Sequence, residues 1–447
     1  MTAQKGGHRI APARTVAFEI LMKVATTDAH SDALLRGREV DALSAQDRAL
    51  TTTLVLGTLR WQLALDSLIR PLLARPDARL TPAVQVALRL GAYQLQYLDR
   101  IPAHAAIGES VELAKQAGEK FAAGMVNAVL RNLARQPARV KSRQSLADEF
   151  AHPHWIAERW ERAYGVDATR AICTFDQEPA GISIRLVHPE AEQALASEGV
   201  ELAEGSFFTA ARRVARGDVT RSQAFREGWA RIQDEGSQLV GELAGRGTRI
   251  LDVCAAPGGK TAILADRNPR AAITAFDVNK RRLDAMRKNL NDEQIKYAVQ
   301  DATAMELEPE YDLILCDVPC SGTGTIGRNP EIRFRVDERD IQRQHERQVA
   351  ILSRALEGLL HGGRLLYSTC SLEPEENEAV VSEVLARKTG WEKATLDGDV
   401  WRLEREGVLR SGCAAKLQSS ALRDGCLCTL PGVHPCDGFF AALIVRQ

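Results

Sequence analysis

Two cysteines in this chain stand on turns that could expose a thiol to a substrate. Cys320 lies in Asp317-Val318-Pro319-Cys320-Ser321-Gly322-Thr323-Gly324, and Cys370 lies in Ser368-Thr369-Cys370-Ser371-Leu372. Each turn follows an apolar, strand-like run. Cys173 and Cys316, by contrast, sit inside apolar runs and read as buried, inert thiols. A thiolate forms covalent intermediates that split one difficult step into easier ones. Added to C6 of a cytosine, it turns the C5–C6 edge into an enamine, so C5 can attack a sulfonium methyl. An acid beside N3 stabilises the charge that accumulates, and Asp317, just before Cys320, is placed to do this in its acid form. A base must then remove the C5 proton, and a second cysteine nearby is a candidate helper. Residue chemistry alone leaves open which thiol is the nucleophile.

The elements that must position these groups are legible from residue 248 onward, where strands alternate with helices. Arg249–Cys254, Ala272–Val278, Lys296–Gln300, Tyr311–Asp317 and Arg364–Ser368 read as successive strands, with Phe439–Val445 ending the sheet and a long amphipathic helix over Asp340–Leu360. This alternation predicts a doubly wound, mostly parallel α/β sheet, with ligands at the carboxyl ends of its strands. The first strand runs into Ala255-Ala256-Pro257-Gly258-Gly259-Lys260-Thr261, a turn whose glycines let backbone approach a ligand. It lacks the G-x-G-x-x-G spacing of a dinucleotide site, which weighs against an oxidoreductase. Asp277 ends the second strand, 19 positions after Gly258, where a carboxylate can accept both ribose hydroxyls, and Asp301 closes the third near the place of an adenine. Carboxylates at successive strand ends predict a bound nucleoside.

Residues 10–136 read as all-helical, with apolar positions at Val16, Ile20, Leu21, Val24 and again at Leu54, Leu59, Leu63, Leu65, Leu68. The polar stretch Gln136–Ser145 reads as a linker. Between residues 150 and 240, a helix at Trp155–Ala163, a strand at Ile182–Val187 and a helix at Glu190–Glu198 suggest a small connecting subdomain. The expected domains are therefore 1–140, 145–240 and 241–447. The net charge of −1 conceals an asymmetry: residues 1–143 hold 20 Lys+Arg against 12 Asp+Glu, or +8, and the remainder holds 38 against 47, or −9. A basic helical module attached to an acidic one fits a nucleic-acid partner, and a solvated Arg-rich surface is the bland alternative. At 45% apolar and 26% charged residues, with no apolar run of bilayer length, the composition is that of a globular protein. Nine cysteines and an N-terminus without an apolar h-region predict free thiols in the cytoplasm. Cys413, Cys426, Cys428, His434 and Cys436 lie close in sequence, but their spacings do not match usual zinc pairs, so no metal is expected.

Taken in order, Leu251–Thr261, Asp317–Ser321, Ser368–Ser371 and Asp437-Gly438-Phe439-Phe440 resemble the signature motifs of the NOL1/NOP2/Sun RNA cytosine-5 methyltransferases over about 190 residues. The first third resembles the NusB RNA-binding helical domain, best in Arg100–Glu112 and Val126–Arg131. A NusB-like domain ahead of such a catalytic domain is similar to the arrangement of the family's bacterial 16S ribosomal RNA members. The resemblance implies a Rossmann-like class I methyltransferase fold, preceded by an all-α NusB-like domain and a small α+β connecting subdomain. It implies methylation of C5 of a specific cytosine in 16S ribosomal RNA, cytosine 967 in conventional small-subunit numbering. It implies S-adenosyl-L-methionine as cofactor and a monomeric protein without metal or membrane. By the same resemblance Cys370 is the nucleophile and Cys320 assists product release. Asp317 and Lys260 complete the catalytic set, and the cofactor set is Cys254, Ala255, Ala256, Pro257, Gly258, Gly259, Lys260, Asp277, Arg282, Asp301 and Asp317. The loop Thr325–Phe334 resembles the family's substrate-facing segment, with Gly327 where a basic residue is common. Transfer RNA is the rival substrate. A non-catalytic RNA-binding assembly factor is the rival class, but both Cys370 and the Gly-rich turn are present.

Overall fold

The computed structural model describes residues 10–136 and 145–446, and most of the expected linker Gln136–Ser145 lies outside them. The chain divides into two compact units, 1–178 with 326–335, and 179–325 with 336–447.

The first unit is all-helical, and its sequence explains where each helix begins. Pro12 and Pro82 open the helices Pro12–Thr26 and Pro82–Tyr97 at the position that needs no backbone N–H. The hydroxyls of Ser44 and Thr81 accept from the Asp47 and Val84 amides at the starts of Ala45–Arg60 and Pro82–Tyr97. The apolar stripe through Leu54–Leu68 covers two helices: the first ends at Arg60, and Gln62–Ile69 starts after Trp61, whose ring stacks on Tyr97 at 4.8 Å. One core joins these helices to Ala103–Gln116 and Ala123–Ala134 through Leu54, Leu65, Leu88, Leu90, Leu130 and Leu133, all buried. Arg14 crosses it, donating to Gln94 at 2.7 Å and to Glu109 at 3.1 Å. The helices Leu146–Glu149, His154–Tyr164 and Val166–Gln177 also belong to this unit. Of the segment expected to connect the domains, residues 145–178 fall in the first unit, and residues 179–240, with their strands and the helix Ala191–Ser197, fall in the second.

The ten residues 326–335 belong to the first unit, although they lie in sequence between two strands of the second. Glu331, 1% exposed, accepts from the Ser31 amide and hydroxyl, each at 2.8 Å. Arg333 donates to the carbonyls of Arg60 and Ala151 at 3.2 Å, and Arg60 returns a bond to the Gly327 carbonyl at 3.1 Å. Arg335 donates to Val24 and Ala29 carbonyls at 2.9 and 2.8 Å, satisfying groups at and just beyond a helix C-terminus.

The second unit carries two sheets. Strands β1 (Ser183–Leu186), β2 (Glu201–Glu204), β3 (Ala211–Arg216) and β4 (Ala230–Ile232) form an antiparallel sheet in the order β2-β3-β1-β4, with helices Ala191–Ser197 and Gln223–Arg226 in its connections. The larger sheet holds β5 (Arg249–Asp252), β6 (Ala272–Asp277), β7 (Ile295–Val299), β8 (Tyr311–Asp317) and β9 (Leu359–Thr369) in parallel. It continues antiparallel through β13 (Phe439–Arg446), β12 (Cys426–Thr429) and β11 (Leu422–Arg423), with β10 (Trp391–Ala394) on the remaining length of β13. The order β11-β12-β13-β9-β8-β5-β6-β7 reverses at β5, as a doubly wound sheet must. Both faces are covered. Leu313 and Leu315 of β8 enter one apolar cluster, and Ile314 and Cys316 enter the other, which is why the strand reads as a continuous apolar run.

The long helix and the short strands β10 to β12 differ from expectation. The long helix spans Glu338–Glu357 and stops before Leu360, because the Gly358 carbonyl accepts from the Tyr311 amide at 3.0 Å and Leu359 already pairs with β8. The short strands β10 to β12 carry too little alternation to be read locally and exist by pairing, β10 and β12 with β13 and β11 with β12. Among the described residues, no helix is long and apolar enough to cross a membrane.

Replacing Glu331 with alanine leaves two buried donors of Ser31 without an acceptor. The expected loss is about 1–3 kcal/mol of local stability in the first unit. Hydrogen exchange at the Ser31 amide checks it: unchanged protection would show that the carboxylate is dispensable.

Candidate active site

The site is built at the carboxyl edge of β5, β6, β8 and β9. After β5 the chain turns through Val253–Gly258 into the helix Gly259–Arg267, with a cis peptide between Ala256 and Pro257. Gly258 has φ of +102°, and a Cβ there would fall 2.7 Å from Met286 Cγ, so a side chain is excluded twice over. The turn is tied to β6: the Ala255 amide donates to the Phe276 carbonyl at 2.7 Å and the Ala256 amide to Asp277 Oδ2 at 3.3 Å. Asp277, 5% exposed, also accepts from the Asn279 amide at 2.8 Å, and Arg282 stands 3.6 Å from it while donating to the Ala256 carbonyl. Asp301, beyond the end of β7, is exposed. Its carboxylate accepts from the Thr303 hydroxyl at 2.7 Å and amide at 2.9 Å, which lowers its pKa. Cys254 is half-buried beneath the turn, and burial raises its thiol pKa.

The two thiols come together through strand register. Asp317 of β8 lies opposite Ser368 of β9, so the turns that follow run side by side. Cys320 Sγ and Cys370 Sγ are 3.4 Å apart. The Gly324 amide donates to the Cys370 carbonyl at 2.9 Å and its carbonyl accepts from Gly438 at 2.8 Å. A Cβ on Gly324 would fall 2.3 Å from the Gly438 oxygen, so only glycine lets three backbone segments meet here. Lys260 reaches in from the first turn and donates to Asp317 Oδ2 at 2.7 Å, its ammonium 5.0 Å over the Phe439 ring. Ser368 Oγ donates to Asp317 Oδ1 at 2.7 Å.

Electrostatics distributes the protons. Burial alone would lower the Lys260 pKa, but the charge and hydrogen bond of Asp317 reverse this and hold it above the usual lysine value. The expectation that Asp317 works in its acid form is therefore revised. It accepts from two donors, one an ammonium, which is the pattern of a carboxylate, and Lys260 carries the proton. The hydrogen bond to Cys370, then burial, pushes the Cys320 thiol well up, so Cys320 keeps its proton.

Two groups were not singled out by sequence reasoning. Asp252, fully buried at the end of β5, accepts from Thr261 Oγ1 at 2.6 Å, and burial pushes its carboxyl up to about 7. Glu376, buried behind the two cysteine turns, bonds to Ser371 five residues before it and to Ser321 and Gln348 far along the chain, partners that no local pattern announces. Gly327 of the expected substrate-facing loop lies in the first unit, where a Cβ would stand 3.3 Å from the Phe175 ring. Cys413, Cys426, Cys428 and Cys436 are buried free thiols, and no group of residues that could hold a metal occurs among the described residues.

Residues 244–445 match the family model of the 16S rRNA methyltransferase RsmB/F, and residues 11–135 match the NusB family. A probable ribosomal RNA small subunit methyltransferase B of Bacillus subtilis is 32% identical over 96% of this chain and 97% of its own length. The ribosomal RNA small subunit methyltransferase B of Pseudomonas syringae is 34% identical over 80% of this chain and 84% of its own. The chain belongs to the RsmB/F methyltransferase family. The crystal structure titled PH0851 shares the fold, with a TM-score of 0.81 over 98% of this chain and 100% of that one, at 24% identity. The RsmB/F match covers the turn after β5, both cysteine turns and β13, and the NusB match covers the helices of the first unit up to Arg135.

The Asp252 carboxyl has a folded pKa above its unfolded value, so it holds an extra proton in the native state. Its stabilisation is complete below about pH 3.9 and is lost as pH rises through about 7. Asp252→Asn is expected to flatten that part of the pH dependence, gaining in urea midpoint relative to the parent at pH 8 more than at pH 5. An equal shift at both would place the proton elsewhere.

Proposed function

We propose that this RsmB/F family protein transfers a methyl group from S-adenosyl-L-methionine to C5 of a specific cytosine of 16S ribosomal RNA, cytosine 967 in conventional small-subunit numbering, in the cytoplasm. The observation that carries this reading is the pair of thiols 3.4 Å apart beside the Lys260–Asp317 ion pair. The names of the curated relatives supply the ribosomal substrate.

The strand ends fit the cofactor. Asp277 and Asp301 offer acceptors for ribose hydroxyls and an adenine amino group, Gly258 leaves room for backbone approach, and carboxylates suit a cationic ligand. Cys254, Ala255, Ala256, Pro257, Gly259, Lys260 and Arg282 complete the proposed binding set. When bound, the cofactor supplies an electrophilic methyl on a sulfonium sulfur.

Cys370 adds to C6 of the cytosine, forming a C–S bond and shifting the C5–C6 electron pair onto C5. Lys260, held charged by Asp317, supplies a proton or a charged hydrogen bond toward N3 as negative charge gathers there. With the cofactor bound, its methyl would pass to C5 as the bond from that methyl to the sulfonium sulfur breaks, leaving a neutral thioether. Release requires loss of the C5 proton, after which the C6–S bond breaks and Cys370 leaves as thiolate. Cys320 is suited to accept that proton at this stage and not before. The hydrogen bond that holds it protonated runs to the Cys370 sulfur. Once that sulfur is a thioether, the restraint weakens, Cys320 gives its own proton to solvent, and the resulting thiolate takes the C5 proton.

The division into 1–140, 145–240 and 241–447 is proposed as functional. The basic first part supplies phosphate contacts and therefore affinity, while sequence choice comes from a pocket that receives an unstacked cytosine.

Cys370→Ala is expected to abolish methyl transfer while cofactor binding by calorimetry survives, and full activity would overturn the nucleophile. Cys320→Ala is expected to methylate and then release slowly, leaving a protein–RNA adduct on a denaturing gel. Asp277→Ala is expected to weaken cofactor binding by ~1.5–3 kcal/mol, the loss of charge-assisted hydrogen bonds. Unchanged calorimetric affinity would place the ribose elsewhere.

A further inference from the structure

Behind the two thiols lies a buried carboxylate that touches the turns of both. Glu376, 0% exposed, sits on the short helical turn Pro374–Glu376 that follows β9. Its Oε1 accepts from the Ser321 amide at 2.8 Å and from Gln348 Nε2 at 3.1 Å. Its Oε2 accepts from the hydroxyls of Ser321 and Ser371, which are themselves 3.0 Å apart. Ser321 follows Cys320 directly, and Ser371 follows Cys370. Gln348 also donates to the Pro319 carbonyl at 3.0 Å, so the Cys320 turn is held on both sides of the cysteine. The anchor is itself fixed: the Tyr367 hydroxyl donates to the Glu376 carbonyl at 2.6 Å, and Asn377 takes the Thr369 hydroxyl at 2.5 Å while donating to the Ser371 carbonyl at 3.0 Å.

A buried carboxylate with four donors and no cation among them is an expensive way to fill a core. Burial raises its pKa, and its charge contributes to keeping the Cys320 proton in place. Fold stability alone would be served as well by apolar packing. What a carboxylate adds is a short tie between two turns separated by 50 residues of chain, with three bonds to Ser321 and Ser371 and a fourth to Gln348.

We propose that Glu376 is the positioning residue that sets Cys320 against Cys370, through its bonds to Ser321 and Ser371, for the release step of catalysis. The inference rests on the reading of Cys370 as nucleophile and Cys320 as release group. Attack by Cys370 and methyl transfer need one thiol, whereas release needs both in register. Loosening the tie therefore slows the second half of the reaction more than the first.

The test compares the full-length parent with Glu376→Gln, Ser321→Ala and Cys320→Ala, using transcribed 16S ribosomal RNA and radiolabelled S-adenosylmethionine. Glutamine keeps an acceptor for the Ser321 amide and replaces the shared Oε2 with a donor. Ser321→Ala removes one arm of the tie with a minimal change of shape, and carries the test should Glu376→Gln fold poorly. Both are expected to lower kcat by roughly 10- to 100-fold with KM for RNA and cofactor within about twofold, and to accumulate the denaturation-resistant adduct seen with Cys320→Ala. Parent-like turnover in both, alongside an adduct in Cys320→Ala, overturns the positioning role and leaves the mechanism standing. Joint loss of adduct, cofactor affinity and melting temperature assigns Glu376 to the fold and also overturns it. No adduct in Cys320→Ala removes the release role itself, and the inference with it.

Discussion

The pairing of β8 with β9 is the constraint on which the site depends. Its register sets Asp317 opposite Ser368, and each strand delivers a cysteine a few residues later. Because side chains alternate along a strand, a slip of one residue would turn Asp317 away from Lys260 and part the two thiols. That register is itself held by burial on both faces, with Leu315 and Leu366 in one cluster and Cys316 and Tyr367 in the other. The geometry of the candidate site is thus a by-product of core packing at two central strands.

Charge completes what register begins. The edge collects Asp252, Asp277 and Asp317 within one sheet, and each is managed differently. Asp317 is neutralised by Lys260, Asp277 is held by backbone amides with Arg282 nearby, and Asp252 is buried deeply enough to take a proton near neutral pH. Lys260 is the pivotal group. It leaves the helix after the Gly-rich turn, crosses the face of Phe439 and ends on the carboxylate beside the thiols. It therefore couples the Gly-rich turn to the carboxylate at the end of β8.

The segment 326–335 shows how one chain can serve two units. It emerges just after the Cys320 turn, yet its polar side chains bond into the helical unit: Glu331 to Ser31, Arg333 to the Arg60 and Ala151 carbonyls, Arg335 to the end of the first helix. In this chain, the position where a basic residue was expected holds Gly327, whose carbonyl receives Arg60 instead. Buried ionic groups of this kind specify which segment belongs where more than they add net stability.

Much of this was legible in the order of residues. The alternation of apolar runs and helical stripes after residue 248, the glycines of the first turn, and cysteines on polar turns after strands are local signals, and local signals suffice for a doubly wound sheet with ligands at its carboxyl edge. The motif order pointed to the family, and apolar positions three and four apart marked the first unit as helical. Other features depend on groups far apart in sequence. Whether Asp317 is acid or carboxylate was decided by Lys260, 57 residues away, and the proton on Cys320 by a sulfur 50 residues on. The tie through Glu376, the strands β10 to β12 and the home of residues 326–335 carry no signature in their own neighbourhoods. Sequence alone determined the helical first unit and the parallel strands with their order, because backbone propensity and periodicity act over a few residues. Tertiary structure decided protonation, register and the partners of buried charges, because these follow from distances of a few ångströms between residues that the chain itself holds far apart.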